Sequence, residues 1–285
     1  MAKSLHPERE TQNRIVKFFE KELGYKYLGN LEDEENFNIR WGDWKKFLSD
    51  SGYSAPFVEA LQNEFFKTLN DFSKSPYHTN KEVYRILKYG LKLAEFPGEA
   101  PKTVYFINWE EPEKNNFYIA EEVTVNGNVE KRPDIVLYIN GIAIAVMELK
   151  KSTVSVADGI RQNVTNQREQ FIQRFFSTIQ ICVAANDSEG LRYGTSGTTE
   201  KYYLEWKEDN FTDQLQDKDD LDKILEGKCS KQLNLLEQQC YRIFQKERLL
   251  DIIHNFIIFD SGIKKICRYN QFYAIKRCEK RLSRN

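Results

Sequence analysis

Two acidic side chains and a lysine occur in an order that suits metal-dependent chemistry. Asp134 follows Pro133, and Glu148-Leu149-Lys150 comes further along the chain. Two carboxylates, helped by a backbone carbonyl, are a natural ligand set for Mg²⁺, which keeps several waters and binds substrate phosphate. A metal held in this way polarises the phosphate and lowers the pKa of a bound water. Lys150 would stabilise the hydroxide or the pentavalent phosphate. The pattern therefore predicts phosphodiester hydrolysis, with Asp134 and Glu148 as metal ligands.

The elements that would position these residues form a β-hairpin. The runs 135–139 and 142–149 are apolar, and Asn140-Gly141 joins them. Asn-Gly is the strongest short-range hairpin signal, because a type I′ turn needs two residues that tolerate positive φ. The second run is apolar on both faces, which predicts a central strand. The open end of this hairpin would bring the two carboxylates and the lysine together.

An acid-x-Lys triplet is weak evidence by itself in a chain with 30 % charged residues. Matching triplets also occur at Asp43-Trp44-Lys45, Glu205-Trp206-Lys207 and Glu226-Gly227-Lys228. Glu148-Leu149-Lys150 differs because it ends an apolar strand whose partner begins at Pro133-Asp134, the only Pro-Asp pair in the sequence. The alternative interpretation is a pair of charged strand ends that face water.

The ideal hairpin register creates a geometric difficulty. If Asn140-Gly141 forms the turn, an undisturbed ladder sets Asp134 opposite Met147. Cross-strand partners share a face, so Asp134 would then lie on the opposite face from Glu148. A metal site therefore predicts a bulge, or a departure from the ladder near Pro133, which cannot donate a ladder hydrogen bond.

Two predicted helices carry weaker candidates. In the first, over 8–23, Glu8 shares the core-facing stripe and is placed to reach the catalytic edge. An acid near a helix N-terminus is also favoured by the helix dipole alone. In a helix predicted over 155–176, Gln162 and Asn166 belong to a polar stripe beside the apolar one. Such a stripe either supports the site or is simply solvated.

Composition and charge limit the remaining possibilities. The 285 residues include 42 Lys and Arg against 43 Asp and Glu, so no global positive field attracts nucleic acid and any such site is local. Apolar residues make up 40 % and aromatic residues 13 %, which indicates a globular protein. No apolar run approaches the roughly 18 residues of a membrane span, and the start does not resemble a signal peptide. We therefore expect a cytoplasmic protein that binds no membrane.

Other kinds of site have little support. The five cysteines contain no Cys-x-x-Cys and the three histidines are scattered, so the sequence does not favour a zinc knuckle, a disulfide framework or a catalytic triad. Gly227-Lys228 is followed by Cys229, so the phosphate-binding loop of ATPases is missing there. We expect no ATP hydrolysis by this chain alone.

The order of elements predicts an α/β fold with a central mixed sheet around 118–149, flanked by the first helix and the 155–176 helix, plus a C-terminal helical appendage. Further strands are predicted at 118–125, 178–185, 191–193 and 202–206, and further helices at 55–72, 80–90, 233–244 and 249–256. We expect a nuclease domain at 1–207, an acidic linker at 208–230 and a helical segment at 231–285.

Four separated motifs occur in one order along the chain: Pro7-Glu-Arg-Glu-Thr-Gln12, the run from Arg132 to Lys150, Asp158-Gly-Ile-Arg-Gln-Asn163, and the run from Asn186 to Thr195. Together they resemble the N-terminal part of the restriction (R) subunit of type I restriction-modification enzymes, over nearly the whole chain. The resemblance implies a restriction-endonuclease-like PD-(D/E)xK core. It also implies Asp134, Glu148 and Lys150 as the Mg²⁺-dependent triad, with Glu8 as the first-helix acid.

The resemblance extends to two further glutamines. Nucleases of this group often carry Gln-x-x-x-Tyr in the helix after the lysine; Gln162 matches the glutamine, and Asn166 stands where the tyrosine would be. The segment 268–276 looks like the adenine-reading segment ahead of a motor's phosphate loop, with Gln271 as its glutamine. This implies that the chain is part of a longer subunit, in which the helical segment leads into a motor domain and ATP is used.

The function implied by the resemblance is Mg²⁺-dependent endonucleolytic cleavage of double-stranded DNA, coupled in the full protein to ATP-driven translocation. The implied partners are the modification and specificity subunits of the type I complex. Two alternatives remain open: an independent structure-specific nuclease with the same triad, and a non-catalytic docking module.

Overall fold

The computed structural model describes residues 7–71, 73–207 and 233–283. Its helices are α1 Pro7–Lys21, α2 Trp41–Asp50, α3 Ala55–Leu69, α4 Pro76–Tyr89, α5 Val156–Asn166, α6 Leu235–Phe244, α7 Lys246–Asn255 and α8 Tyr269–Leu282. Its strands are β1 Lys26–Asn30, β2 Leu91–Leu93, β3 Lys102–Val104, β4 Phe117–Glu121, β5 Ile135–Ile139, β6 Ile142–Leu149, β7 Ile181–Asn186, β8 Gly190–Gly194, β9 Leu204–Glu205, β10 Ile257–Asp260 and β11 Ile263–Ile266. None of the helices in these ranges is long and apolar enough to span a bilayer. The acidic linker predicted at 208–230 lies outside the described residues.

Seven strands form one mixed sheet in the order β1-β4-β5-β6-β7-β8-β9. The pairs β1/β4 and β6/β7 are parallel, and the other neighbouring pairs are antiparallel. Every residue of β5, β6 and β7 is buried, which explains why these strands read as continuous apolar runs. The predicted α/β fold with a central mixed sheet flanked by helices is confirmed.

Helices cover both faces of the sheet. On one face, α1 buries Ile15 and Phe19 in a large core that also contains Met147 of β6. On the other face, Ile160 of α5 packs against Ala184 of β7. Because side chains of a strand alternate between faces, neighbouring residues of the central strands contribute to different cores.

The turn between β5 and β6 has the predicted form. Asn140 has φ of 50° and Gly141 has φ of 83°, as a type I′ turn requires. The buried Asn140 side chain donates to the Phe106 carbonyl at 3.0 Å and accepts from the Asn116 N–H at 2.7 Å. A Cβ at position 141 would lie 2.6 Å from the Arg40 carbonyl oxygen. Packing therefore requires Asn-Gly here as strongly as the backbone conformation does.

Two predicted elements end earlier than expected. The helix predicted over 155–176 ends at Asn166, and the chain then forms a 3₁₀ turn at Gln173–Ser177. The strand predicted over 118–125 stops where Glu122 adopts φ of 51°, which an extended strand cannot accommodate. The apolar residues beyond these points are buried within the 3₁₀ turn and within loops.

The C-terminal segment, residues 233–283, packs on the large core rather than standing apart from it. The ring of Phe244 in α6 lies 5.5 Å from that of Phe19 in α1, and Phe272 in α8 lies 5.7 Å from Trp206. The segment contains the hairpin β10-β11 as well as α6 to α8. The predicted helical appendage therefore contains three helices but also a hairpin, which the sequence analysis did not predict.

Candidate active site

A β-bulge in β6 decides which face each catalytic candidate occupies. Leu137 pairs with Ala145, whereas its neighbour Tyr138 pairs with Ala143, so Ile144 is an extra residue on β6. The side-chain period of a strand is two, so one extra residue moves every later side chain of the strand to the other face. The predicted departure from ideal pairing is therefore present, but it lies close to the turn rather than at the open end of the hairpin.

The bulge puts Asp134 and Glu148 on the same face of the sheet. Ile135 pairs with Met147, so continuing the ladder by one residue sets the two acids opposite one another. Glu148 also pairs with Ala184, whose side chain packs against α5. Both carboxylates therefore belong to the α5 face.

Asp134 is tied to the end of β6 by a hydrogen bond. The backbone N–H of Leu149 donates to Asp134 Oδ2 at 2.6 Å. The Asp134 carbonyl accepts from the Glu122 N–H at 2.9 Å and from Gln12 Nε2 at 3.3 Å. These bonds fix both the carboxylate and its backbone, although Asp134 lies one residue before β5 begins.

Glu148 is fully buried, and only one of its carboxylate oxygens is paired. Asn166 donates from Nδ2 to Oε1 at 3.3 Å, while Oε2 has no hydrogen-bond partner within the described part of the chain. Helix α5 approaches this closely because residue 159 is glycine: a Cβ there would lie 3.1 Å from Ala184 Cβ and 3.4 Å from the Glu148 carbonyl oxygen. A buried, unpaired carboxylate oxygen is costly unless a proton or a cation binds it.

Lys150 follows β6 and keeps its ammonium group at the site. Its backbone N–H donates to the Ala185 carbonyl at 2.9 Å, and its Nζ donates to the Leu149 carbonyl at 2.8 Å. Glu8 Oε1 lies 3.7 Å from Nζ, and the lysine side chain is only 15 % exposed. The structure thus places the first-helix acid beside the lysine, while its catalytic role stays a prediction.

Burial changes the acidity of both carboxyl groups. It raises the pKa of Asp134 to about 6, although the Leu149 N–H and the charge of Lys150 act in the opposite direction. It raises the pKa of Glu148 well above its ordinary value, and the negative charge of Asp134 raises it further. Ionising both carboxyls without a counter-ion is therefore unfavourable, which means that the pair favours a proton or a cation.

The oxygen atoms at this site suit Mg²⁺ and would supply part of its coordination shell. Two carboxylates and the Leu149 carbonyl supply hard oxygen ligands, and Glu148 Oε2 is a buried acceptor without a partner in the described ranges. Among the described residues no group of three or more Asp, Glu, His or Cys side chains is arranged to hold a metal ion. Water and substrate phosphate would have to complete the coordination, as is usual for Mg²⁺.

The other predicted residues divide into one that reaches the site and two that do not. Asn166 contacts Glu148, as described above. Gln162 is half-buried on α5 and, within the part of the chain that the structure describes, forms no hydrogen bond with the catalytic candidates. Gln271 is exposed in the first turn of α8, where its Oε1 accepts from the Arg268 N–H at 2.9 Å and caps the helix.

Sequence reasoning missed a network of charged and polar side chains that supports Asp134 from the α1 side. Arg9 donates to Glu121 at 3.2 Å and to Glu122 at 3.1 Å, and Gln12 Nε2 donates to the same two carboxylates at 3.3 and 3.1 Å. Arg132 pairs with Glu122 at 2.9 Å. Two consecutive acids inside the strand predicted over 118–125, with Arg9 and Gln12 one helical turn apart, were the signal that could have found it.

A protein-family model matches most of the chain. The family model described as the type I restriction enzyme R protein N terminus matches residues 5–201. This range contains all three catalytic candidates as well as Glu8.

Curated relatives match over most of the chain. The chain is 26 % identical over 280 residues to the putative type I restriction enzyme MjaIXP endonuclease subunit of Methanocaldococcus jannaschii, covering 90 % of this chain and 26 % of that protein. It is 28 % identical over 294 residues to the putative MjaVIIIP endonuclease subunit of the same organism, covering 97 % and 26 %. It is 26 % identical over 214 residues to the type I restriction enzyme HindI endonuclease subunit of Haemophilus influenzae, covering 69 % and 18 %. The chain therefore spans about a quarter or less of the length of these relatives.

Proposed function

The chain belongs to the family of type I restriction enzyme R protein N termini, and on that premise we propose that it is the nuclease region of such an R subunit. In this proposal it has a PD-(D/E)xK core and hydrolyses phosphodiester bonds of DNA with Mg²⁺. The observation that supports the proposal is the convergence of Asp134, Glu148 and Lys150 through the bulged register. Charged strand ends that simply faced water would not be buried with an unpaired carboxylate oxygen.

Two carboxylates would hold the metal ion. Asp134 and Glu148 are the proposed ligands, and bound Mg²⁺ would polarise the phosphate and lower the pKa of a coordinated water. Leu149 orients the first carboxylate through its N–H, and Asn166 orients the second through its amide. The hydrogen bonds leave an oxygen of Glu148 available, so the carboxylates need little rearrangement to bind a cation.

Lys150 would act on the charge that develops during hydrolysis. Its largely buried ammonium group stabilises the attacking hydroxide or the pentavalent phosphate more strongly than an exposed lysine could, because the local dielectric is lower. Glu8 holds this ammonium group in place from α1. Gln162 lies on α5 and would contact DNA rather than the reacting phosphate.

The remaining parts of the proposal concern the full-length subunit. The substrate would be double-stranded DNA, and the partners would be the modification and specificity subunits of a type I complex in the cytoplasm. The relatives named endonuclease subunits are roughly four times longer than the matched region, which supports a further region in the full-length subunit. In this proposal, that region uses ATP for translocation. Gln271 would contact adenine only in that longer protein.

The decisive test is Asp134→Ala in the complete complex. We expect double-strand cleavage to be abolished while ATP hydrolysis and translocation persist, because the variant removes only a metal ligand. Asp50→Ala, which removes an exposed carboxylate on α2, is the matched control and should cleave normally. Unchanged cleavage by Asp134→Ala would refute the assignment.

A second test separates metal binding, measured on the isolated chain, from chemistry, measured as cleavage by the complete complex. Lys150→Met should retain Mn²⁺ or Mg²⁺ binding in calorimetry but lose cleavage, whereas Glu148→Gln should lose both. An independent structure-specific nuclease would cleave its substrate without the other subunits. A docking module would bind no divalent ion at these residues, and Glu148→Gln would affect neither assembly nor cleavage.

A further inference from the structure

Helix α1 is anchored one turn away from Glu8. Thr11 Oγ1 donates to Asp187 Oδ2 at 2.7 Å, and Arg14 Nη1 donates to the same oxygen at 3.3 Å. Arg14 Nη2 also pairs with Asp187 Oδ1. Residues three apart on a helix are neighbours, so Thr11 lies next to Glu8 on the helix surface. Asp187 therefore fixes the turn of α1 that carries Glu8.

The same strand end also anchors Lys150. Asp187 directly follows β7, and two residues earlier the Ala185 carbonyl accepts from the Lys150 N–H at 2.9 Å. The end of β7 thus holds both members of the Glu8–Lys150 contact, one through the backbone and the other through Thr11. A shift of α1 relative to β7 would change the distance between Glu8 and Lys150.

The first turn of α6 completes this network from the C-terminal segment. Glu237 Oε1 lies 3.0 Å from Arg14 Nε, and Asn234 Nδ2 lies 3.5 Å from Asp187 Oδ1. Asn234 and Glu237 also form the capping box that begins α6, so their positions follow the start of that helix. The Glu237 side chain is only 10 % exposed, so its pairing with Arg14 is less screened than a surface ion pair.

We propose that these contacts allow the C-terminal segment to control the active site through a clasp formed by Thr11, Arg14, Asp187 and Glu237. Asp187 and Glu237 are positioning residues. While α6 is docked, the clasp keeps α1 where Glu8 meets Lys150; when the segment moves, Arg14 loses Glu237 and that contact is released. The inference rests on the proposed nuclease function, to which it adds a route of regulation from the C-terminal side.

The first test measures geometry and needs no catalysis. A carbodiimide joins a carboxylate to an amine that touches it, so the full chain should yield a Glu8–Lys150 cross-linked peptide detectable by mass spectrometry. Glu237→Gln keeps a side-chain oxygen that can accept from the Asn234 N–H in the capping box, but it removes the charge that Arg14 pairs with. We expect it to lower the cross-link yield by about threefold or more, in line with known coupling effects.

The matched control perturbs the same segment without touching α1. Asp251 pairs with Lys276 at 2.6 Å between α7 and α8, and Asp251→Asn should leave the cross-link yield unchanged. Equal yields in the wild-type chain and Glu237→Gln would overturn the proposal, as would equal losses in Glu237→Gln and Asp251→Asn. Failure of the wild-type chain to form the cross-link would also overturn it.

The second test measures cleavage in the complete complex. Glu237→Gln and Asp187→Asn should lower kcat by about 3- to 30-fold with KM and metal affinity unchanged. In a Glu8→Gln background, Glu237→Gln should cause no further loss, because it acts through Glu8; an additive loss would contradict the clasp. If the wild-type complex does not cleave DNA but the cross-link responds as expected, the proposed function fails and the clasp stands.

Discussion

Replacing Asp134 by Asn should stabilise the metal-free protein, and the gain should grow with pH. Burial raises the pKa of Asp134 from its ordinary value of 3.8 to about 6. A carboxyl whose pKa is raised by folding gives full stability below its unfolded-state pKa, and this stability is lost as the pH rises through the folded-state pKa. Above that pH the charged carboxylate destabilises the fold, and Asp134→Asn removes the charge.

The expected magnitude follows from the size of the shift. A shift of about two units corresponds to about 3 kcal/mol at pH 8, where the carboxyl is ionised in both states. At pH 5 the same linkage gives about 1.5 kcal/mol, because the folded state still binds most of its proton. Asparagine keeps an oxygen that accepts the Leu149 N–H, so that hydrogen bond survives. The gain in stability should therefore double between pH 5 and pH 8. The increase of about 1.5 kcal/mol corresponds to about 3 to 6 °C in melting temperature.

Thermal unfolding of the wild-type chain and Asp134→Asn in EDTA, at both pH values, measures this effect. Asp187→Asn is the control, because the pKa of Asp187 is shifted in the opposite direction. Burial would raise this pKa, but hydrogen bonds from Arg14 and Thr11 lower it overall. It is ionised in both states across this range, so its replacement should cost the same stability at each pH. A gain for Asp134→Asn that does not depend on pH would refute the electrostatic reasoning.

Mg²⁺ at about 100 times its Kd should stabilise the wild-type chain by about 2.7 kcal/mol and have no effect on Asp134→Asn.

Three further outcomes are expected. Deleting Ile144 should remove the bulge but leave Leu137 opposite Ala145 and Glu148 opposite Asp134, so calorimetry should still show Mg²⁺ binding; loss of binding would contradict this account of the register. Gly159→Ala should destabilise the chain by about 1 to 3 kcal/mol in urea, because the added Cβ would lie 3.1 Å from Ala184; unaltered stability would mean that α5 can shift freely. The chain should show no ATPase activity and little ATP binding, because the given sequence contains no phosphate-binding loop to act together with Gln271. A micromolar affinity for ATP, about −8 kcal/mol, would disprove this.

The hairpin could be predicted because its signals are local. Asn140-Gly141 fits a turn that few other dipeptides allow, and the apolar runs on either side have the length of buried strands. The need for a bulge could also be predicted, since it follows from counting residues between the turn and two carboxylates that must meet. The position of the bulge could not be predicted, because residues 142–147 are apolar on both faces and carry no period-two pattern that marks the extra residue.

Long-range contacts explain the two early endings and the missed network. Phe171 and Phe175 continue the helical spacing of α5, and so predicted a longer helix. Phe171 instead packs in a loop, where Lys131 lies 4.4 Å from its ring centroid and a Cβ on Gly127 would collide with its carbonyl. Gln12 belongs to the first of the four motifs, but its partner Glu121 on β4 is 109 residues away, so the sequence pattern did not predict their contact. Such partners are far apart in sequence, so periodicity contains no information about them.

The cost of assembling the site and its proposed affinity for a cation have one origin. Asp134 and Glu148 are held together by backbone pairing, so they cannot relieve their repulsion by moving apart. A proton or an added cation would relieve it. Much of the stability that these two charges cost the metal-free protein would then be recovered as Mg²⁺ binding free energy. Substitutions that neutralise either carboxylate should thus stabilise the fold and weaken metal binding together. A variant that lost metal affinity and stability at once would show that the substituted group supports the fold rather than the metal.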